Sequence, residues 1–162
     1  MAFDFHLGAV SWEELREEFA RILSDGRASL TLSIGLTSGE GGHTHHHGEH
    51  VHVETAFTMR VREKAKEIEG ELGGKAYLHL HPDSGTITLD IPVSPSNLEE
   101  RFRRILETLS GCEGCYITGL EGEVKVDGET AALIYGTSAK ATFILPSADG
   151  KRLKIIEALL TV

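Results

Sequence analysis

The stretch GGHTHHHGEHVHVE, residues 41–54, holds six of the nine histidines of this 162-residue chain. Imidazole nitrogens ligate zinc, nickel, copper and iron, and three or four of them make a site. A further pair, His79 and His81, follows in YLHLHP. Residues i and i+2 of a strand share a face, roughly 6.5 Å apart. On strands, His50 would point with His52, and His79 with His81, opposite the aliphatic Val51, Val53, Leu78 and Leu80. If the two strands are neighbours, four imidazoles converge on one surface. Glu49, Glu54 and Asp83 are the carboxylates close in sequence, as ligands or as partners that fix a histidine tautomer. His43, His45, His46 and His47 lie among glycines. Such a tract captures late transition metals at modest affinity, because ordering it costs entropy. A lone H-x-H pair on an exposed strand face is ordinarily two solvated side chains. Two pairs and a four-histidine loop together favour a metal. The expected ligands are His50, His52, His79 and His81, with His43, His45, His47 and Glu49 as an auxiliary set. The expected cofactor is a divalent transition metal: zinc, nickel or copper.

The elements that would position these residues are read from periodicity. SWEELREEFARILSDG, residues 11–26, is a helix with Ser11 and Glu14 as its capping box and Trp12, Leu15, Phe19, Ile22 and Leu23 as its core stripe. Residues 27–37 alternate as a half-buried strand, with Leu30, Leu32, Ile34 and Leu36 on one face. Residues 38–50 are a loop by composition, and 50–60 resume the alternation through Phe57 and Met59. Helical spacing predicts a second helix over 61–74. A hairpin follows over 75–93, turning at Pro82-Asp83-Ser84-Gly85. A third helix spans 96–111 with Ser96 and Glu99 as its box. Strands continue from 112, ending in a hairpin around SADGK, with a short helix at KIIEALL as the alternative for the last element. The expected fold class is α+β: an antiparallel sheet built from β-hairpins, with about three helices packed on one face. Its order is helix-first, α-ββ-α-ββ-α, followed by further strands. One domain covers 1–162, with a His-rich hairpin loop at 38–50.

Composition narrows the function classes. The formal charge is −9 and the pI about 5.4. Nucleic-acid binding needs a basic face, so no nucleic-acid partner is expected. Anionic membranes are disfavoured, and no apolar run approaches the ~20 residues of a span. The start of the chain shows no basic region followed by an apolar run, so a cytoplasmic location is expected. Cys112 and Cys115 form a C-x-x-C at a helix end. They read as zinc ligands, a redox pair, or two small partly buried residues, the last being favoured. Edge strands can pair between chains, so a homo-oligomer is compatible with this reading.

Three resemblances bear on chemistry. In HTHHHGE, His43, His45 and Glu49 have the spacing of the first metal motif of cupins, to which they are similar. That likeness implies a metal-dependent hydrolase, oxygenase or lyase, although no second motif follows and three expected helices interrupt a jelly roll. YLHLHP and EHVHVE resemble the histidine–hydrophobic–histidine motif of rolling-circle and relaxase nucleases, but the helix over 96–110 carries no tyrosine nucleophile. His50 and His52, with His6 upstream, resemble the zinc ligands of the tunnelling-fold pterin synthases, with Val51 where that family has glycine. The expectation that follows is a metal-binding protein for nickel, zinc or copper storage, delivery or sensing. A metal-dependent enzyme is the first alternative. A self-assembling module with metal- or pH-sensitive histidine contacts is the second.

Overall fold

Leu30, Leu32, Ile34 and Leu36 alternate with small polar residues because they line one face of a long strand in the interior of a sheet. The computed structural model describes residues 2–23, 27–39 and 54–160. Over these the chain forms β1 (Ala2–Leu7), α1 (Ala9–Ile22), β2 (Ala28–Thr37) and α2 (Ala56–Leu72). It continues through β3 (Lys75–Leu80), β4 (Ser84–Val93), α3 (Leu98–Ser110) and β5 (Tyr116–Val126). It ends with β6 (Glu129–Gly136), β7 (Lys140–Pro146) and β8 (Arg152–Leu159). The strands make one sheet in the order β1-β8-β7-β6-β5-β2-β4-β3. β1 runs parallel to β8, and the other neighbours are antiparallel.

Register carries the core across the sheet. Leu30 stands opposite Ile91 and Val124, and Leu32 opposite Leu89 and Gly122. A side chain at Gly122 would collide with the Thr31 carbonyl oxygen, so close approach of β5 to β2 demands glycine there. Trp12, Leu15 and Phe19 of α1, and Leu98, Phe102 and Ile105 of α3, join the same buried cluster as these strands. Phe57, Val61, Ile68 and Leu72 of α2 complete it. α2 ends at Gly73, whose left-handed backbone (φ 70) closes the last turn. No helix among the described residues is long and apolar enough to cross a membrane.

The expected order of elements is corrected. A strand precedes the first helix, and β1 makes the sheet mixed through its parallel pairing with β8. A single described strand lies between α1 and α2, so the expected α-ββ-α-ββ-α arrangement of hairpins with helices packed on one face is not the architecture. The expected strand over 50–60 fails from residue 56 onward. Residues 56–60 are the first turn of α2, because Phe57, Val61, Ala65, Ile68 and Leu72 form one continuous helical stripe. Met59, read as a core residue of that strand, is exposed. The helix caps shift too. Gly8 precedes α1, and Ser11 lies inside the helix, fully buried. Asn97, instead of Ser96, holds the N-cap position of α3. The closing hairpin is β7–β8, with a strand and no helix over 152–159.

Candidate functional site

The β3–β4 hairpin presents one of the two expected histidine pairs. Ala76, Leu78 and Leu80 turn toward the core, which exposes Tyr77 and His79 on the other face and leaves His81 exposed at the turn. The rings of His79 and His81 meet edge to face, with centroids 5.2 Å apart. The turn closes through the His81 amide donating to the Ser84 carbonyl at 2.8 Å. β3 is an edge strand, and β4 is its only neighbour among the described residues.

Both flanks of the histidine-rich segment are tied to this turn. At the end of β2, the Ser38 amide donates to the Asp83 carbonyl at 2.8 Å, and the Thr37 hydroxyl reaches the same oxygen at 3.4 Å. Gly39 follows with a left-handed backbone (φ 75), and its Cα packs on the ring of Tyr116, where a side chain would collide. On the other flank, Thr55 caps α2. Its hydroxyl accepts from the Thr58 amide at 3.2 Å and donates to the Pro82 carbonyl at 2.7 Å. The Thr55 amide donates back to the Thr58 hydroxyl at 2.8 Å, completing a reciprocal cap. Glu54 pairs with Arg62 at 3.3 Å, so that carboxylate already has a cation. Thr55→Ala removes both the cap and the tie to Pro82. It is expected to lower unfolding free energy by about 1 kcal/mol, with Thr55→Ser near wild type, as read from urea midpoints. Equal losses in the two variants would mean the hydroxyl is idle.

The remaining expected ligands sort plainly. His43, His45, His46, His47, Glu49, His50 and His52 lie outside the described residues. The meeting of the two H-x-H pairs therefore rests on residues outside that set. His6, the third ligand implied by the pterin-synthase likeness, lies at the opposite edge of the sheet from His79. Its Nδ1 sits 2.7 Å from Glu14 Oε2. Cys112 and Cys115 are bonded to each other in the turn between α3 and β5, with Cα atoms 5.4 Å apart. As a disulfide they offer no thiolate to zinc. An open depression lined by Arg27, Ser29, Lys75, Tyr77 and Asp90 lies toward the other end of β3 and has no histidine in its wall. Among the described residues, no group of three or more His, Cys, Asp or Glu side chains stands ready to hold a metal ion.

Periodicity points to His79 and His81 from the i, i+2 spacing alone. The ties at Ser38 and Thr55 escape it, because they run through backbone carbonyls of a turn far away in sequence. Comparison of the chain with protein-family models, with curated proteins and with solved structures gives no match.

Proposed function

We propose that this protein binds a divalent transition metal, zinc, nickel or copper, for storage, delivery or sensing. His79 and His81 would supply two ligands and His50 and His52 the others, with His43, His45, His47 and Glu49 as a capture arm. The observation that carries this reading is the turn at 81–84. His81 in this turn meets His79 of β3 edge to face, and both flanks of the six-histidine segment are hydrogen-bonded to the turn. Thr55 follows His52 by three positions, and a chain extends at most about 3.5 Å per residue. The tether at Pro82 therefore bounds how far His50 and His52 can lie from the turn, which lowers the entropic cost of bringing them to His79 and His81. The alternative of a catalytic metal needs an open coordination position within a pocket. His79 and His81 are both exposed, which favours handling over catalysis. The metal ion is the partner in this reading, and nucleic acid is not. A cytoplasmic location belongs to this reading.

The test is competition with a chromophoric chelator for zinc, nickel and copper on untagged protein. Replacing His79 and His81 together by alanine should weaken the tightest event by about tenfold or more, or 1.4 kcal/mol per decade. Replacing His50 and His52 together should do the same. Unchanged affinity and stoichiometry in the His79/His81 variant would remove the turn from the site. A loss confined to the segment variants would leave a weak scavenging tract.

A further inference from the structure

The face of the sheet turned away from the core is divided in two. Over β5, β2 and β4 it carries Ser, Thr, Glu and Lys, such as Ser33 and Thr88, whose hydroxyls bond at 3.0 Å. Over β1, β8, β7 and β6 it is mainly apolar, with Thr142, Glu157 and Lys140 as its polar members. The register sets Phe5 beside Ile155, Ile155 beside Ile144, and Ile144 beside Leu133, one unbroken row across four strands. Phe3 and Leu7 flank the row on β1, and Tyr135 continues it along β6. The exposures of Phe3, Phe5 and Leu7 are 62%, 61% and 57%, and those of Tyr135, Leu159 and Leu133 are 47%, 45% and 39%. The patch stops at β5, where Glu123 and Glu121 stand beside Leu133 and Tyr135. Glu157 within it is neutralised by Lys140 at 3.2 Å.

Each exposed large side chain has roughly 200 Å² of surface, so together they present about 600 Å² of apolar area at their observed exposure. That is the upper end of what monomers leave in water, roughly 300–600 Å². With the partly buried Ile144, Ile155 and Leu153 it approaches the ~800 Å² that each partner gives to a stable interface.

We propose that two copies of this chain associate by stacking these faces about a twofold axis. The contact would be a β-sandwich of the β1-β8-β7-β6 halves, with the Phe5–Ile155–Ile144–Leu133 rows at its centre. Two like sheets pack face to face about 10 Å apart with strands offset by about 30°, a geometry open to any flat aliphatic sheet face. The patch is self-complementary, since it is dominated by aromatic and aliphatic side chains and its one charged pair, Lys140–Glu157, is satisfied within the face. A net charge of −9 works against an anionic lipid surface as the occupant. No histidine lies on this face of β1, β8, β7 or β6, so the association is independent of the metal reading.

Sedimentation equilibrium of the full chain tests it. The wild type should weigh twice 17.6 kDa at micromolar concentration, with or without a chelator. Leu133→Asp and Phe5→Asp, if folded by circular dichroism, should each raise the dimer dissociation constant by about thirtyfold or more. Tyr77→Asp, equally exposed but on the polar half of the same face, should leave it unchanged. In wild-type hydrogen exchange, amides of β1 and β6 should slow as protein concentration rises, a readout that needs no variant. A wild type that stays monomeric at about 100 μM overturns the proposal. So does a dimer that both Asp variants leave intact. A monomer that co-sediments with neutral phosphatidylcholine vesicles also overturns it, in favour of a lipid surface.

Discussion

Phe143→Ala is expected to lower unfolding free energy by about 3–5 kcal/mol, a large share of the ~5–15 kcal/mol that holds a domain folded. Phe143 projects from β7 into the core and has no exposed surface. Its ring meets Trp12 edge-on at 5.8 Å and Phe19 at 6.3 Å, both on α1, and tilts against Phe102 of α3 at 5.8 Å. One side chain thus joins two helices to the sheet. Removing it takes away its own burial and three aromatic contacts of about 0.5–1.5 kcal/mol each, and leaves a void that three large rings cannot easily fill. Trp12 is otherwise held in place. Its indole N–H donates to the Leu159 carbonyl at 2.9 Å, and Arg103 lies 5.5 Å over its ring. The void should therefore persist instead of collapsing. Urea unfolding followed by Trp12 fluorescence and by far-ultraviolet circular dichroism measures the loss. Tyr77→Ala, on an exposed site, should change stability by no more than about 0.5 kcal/mol. A Phe143→Ala loss under about 1 kcal/mol would show that α1 and α3 can close on β7 without it.

What was legible from sequence follows the range of the interactions involved. The β3–β4 and β7–β8 hairpins are local, with turn residues between alternating strands, and they stand where the pattern sets them. The alternation of Phe3, Phe5 and Leu7 with Asp4 and His6 is equally plain, but nothing nearby in sequence offers it a partner strand. Its partner β8 lies some 150 residues away, and parallel pairing leaves no local mark. The start of α2 reads as a strand because Phe57 and Met59 also satisfy a period of two. The Thr55–Thr58 cap that decides the matter lacks the glutamate or glutamine usual at its fourth position. Ser11 and Ser96 fit the capping pattern and do not cap, since the chain bends into each helix at Gly8 and Asn97. At the site, His79 and His81 were legible because a strand fixes their common side within three residues. The ties from Ser38 and Thr55 to the turn were not, because a backbone carbonyl looks the same at every position.

Lys154→Met should be the most damaging change at a charged residue, lowering stability by about 2–3 kcal/mol at neutral pH. Lys154 projects from β8 beneath α1, where its ammonium lies 3.0 Å from Glu14 and 2.6 Å from Glu18. The second oxygen of Glu18 takes Arg21 at 2.7 Å, and the second oxygen of Glu14 faces His6. These side chains are largely shielded, with Glu18 at 12% and Lys154 at 17% exposure. Without the ammonium, two shielded carboxylates face each other with only Arg21 and His6 to answer them. Burial pushes the Glu18 carboxyl up, but hydrogen bonds from Lys154 and Arg21 outweigh it and hold the group below the ordinary carboxylate value. The hydrogen bond to Glu18 is the main cause that raises Lys154. A lowered acid stabilises the fold above its unfolded pKa, and that contribution disappears as pH falls through the folded one. A raised base does the reverse at the alkaline end. The network therefore contributes most between about pH 4.5 and 10.5, and the penalty of Lys154→Met should shrink steadily below about pH 4.5 as Glu18 protonates. Denaturation in urea at about pH 7 and about pH 3 compares the two regimes. Adding Glu18→Leu to Lys154→Met should restore most of the loss at neutral pH, because it removes one of the uncompensated charges and fills the space with apolar volume. A penalty independent of pH, or one that Glu18→Leu leaves unrepaired, would mean that the lysine acts through the packing of its aliphatic stem against α1 and not through its charge.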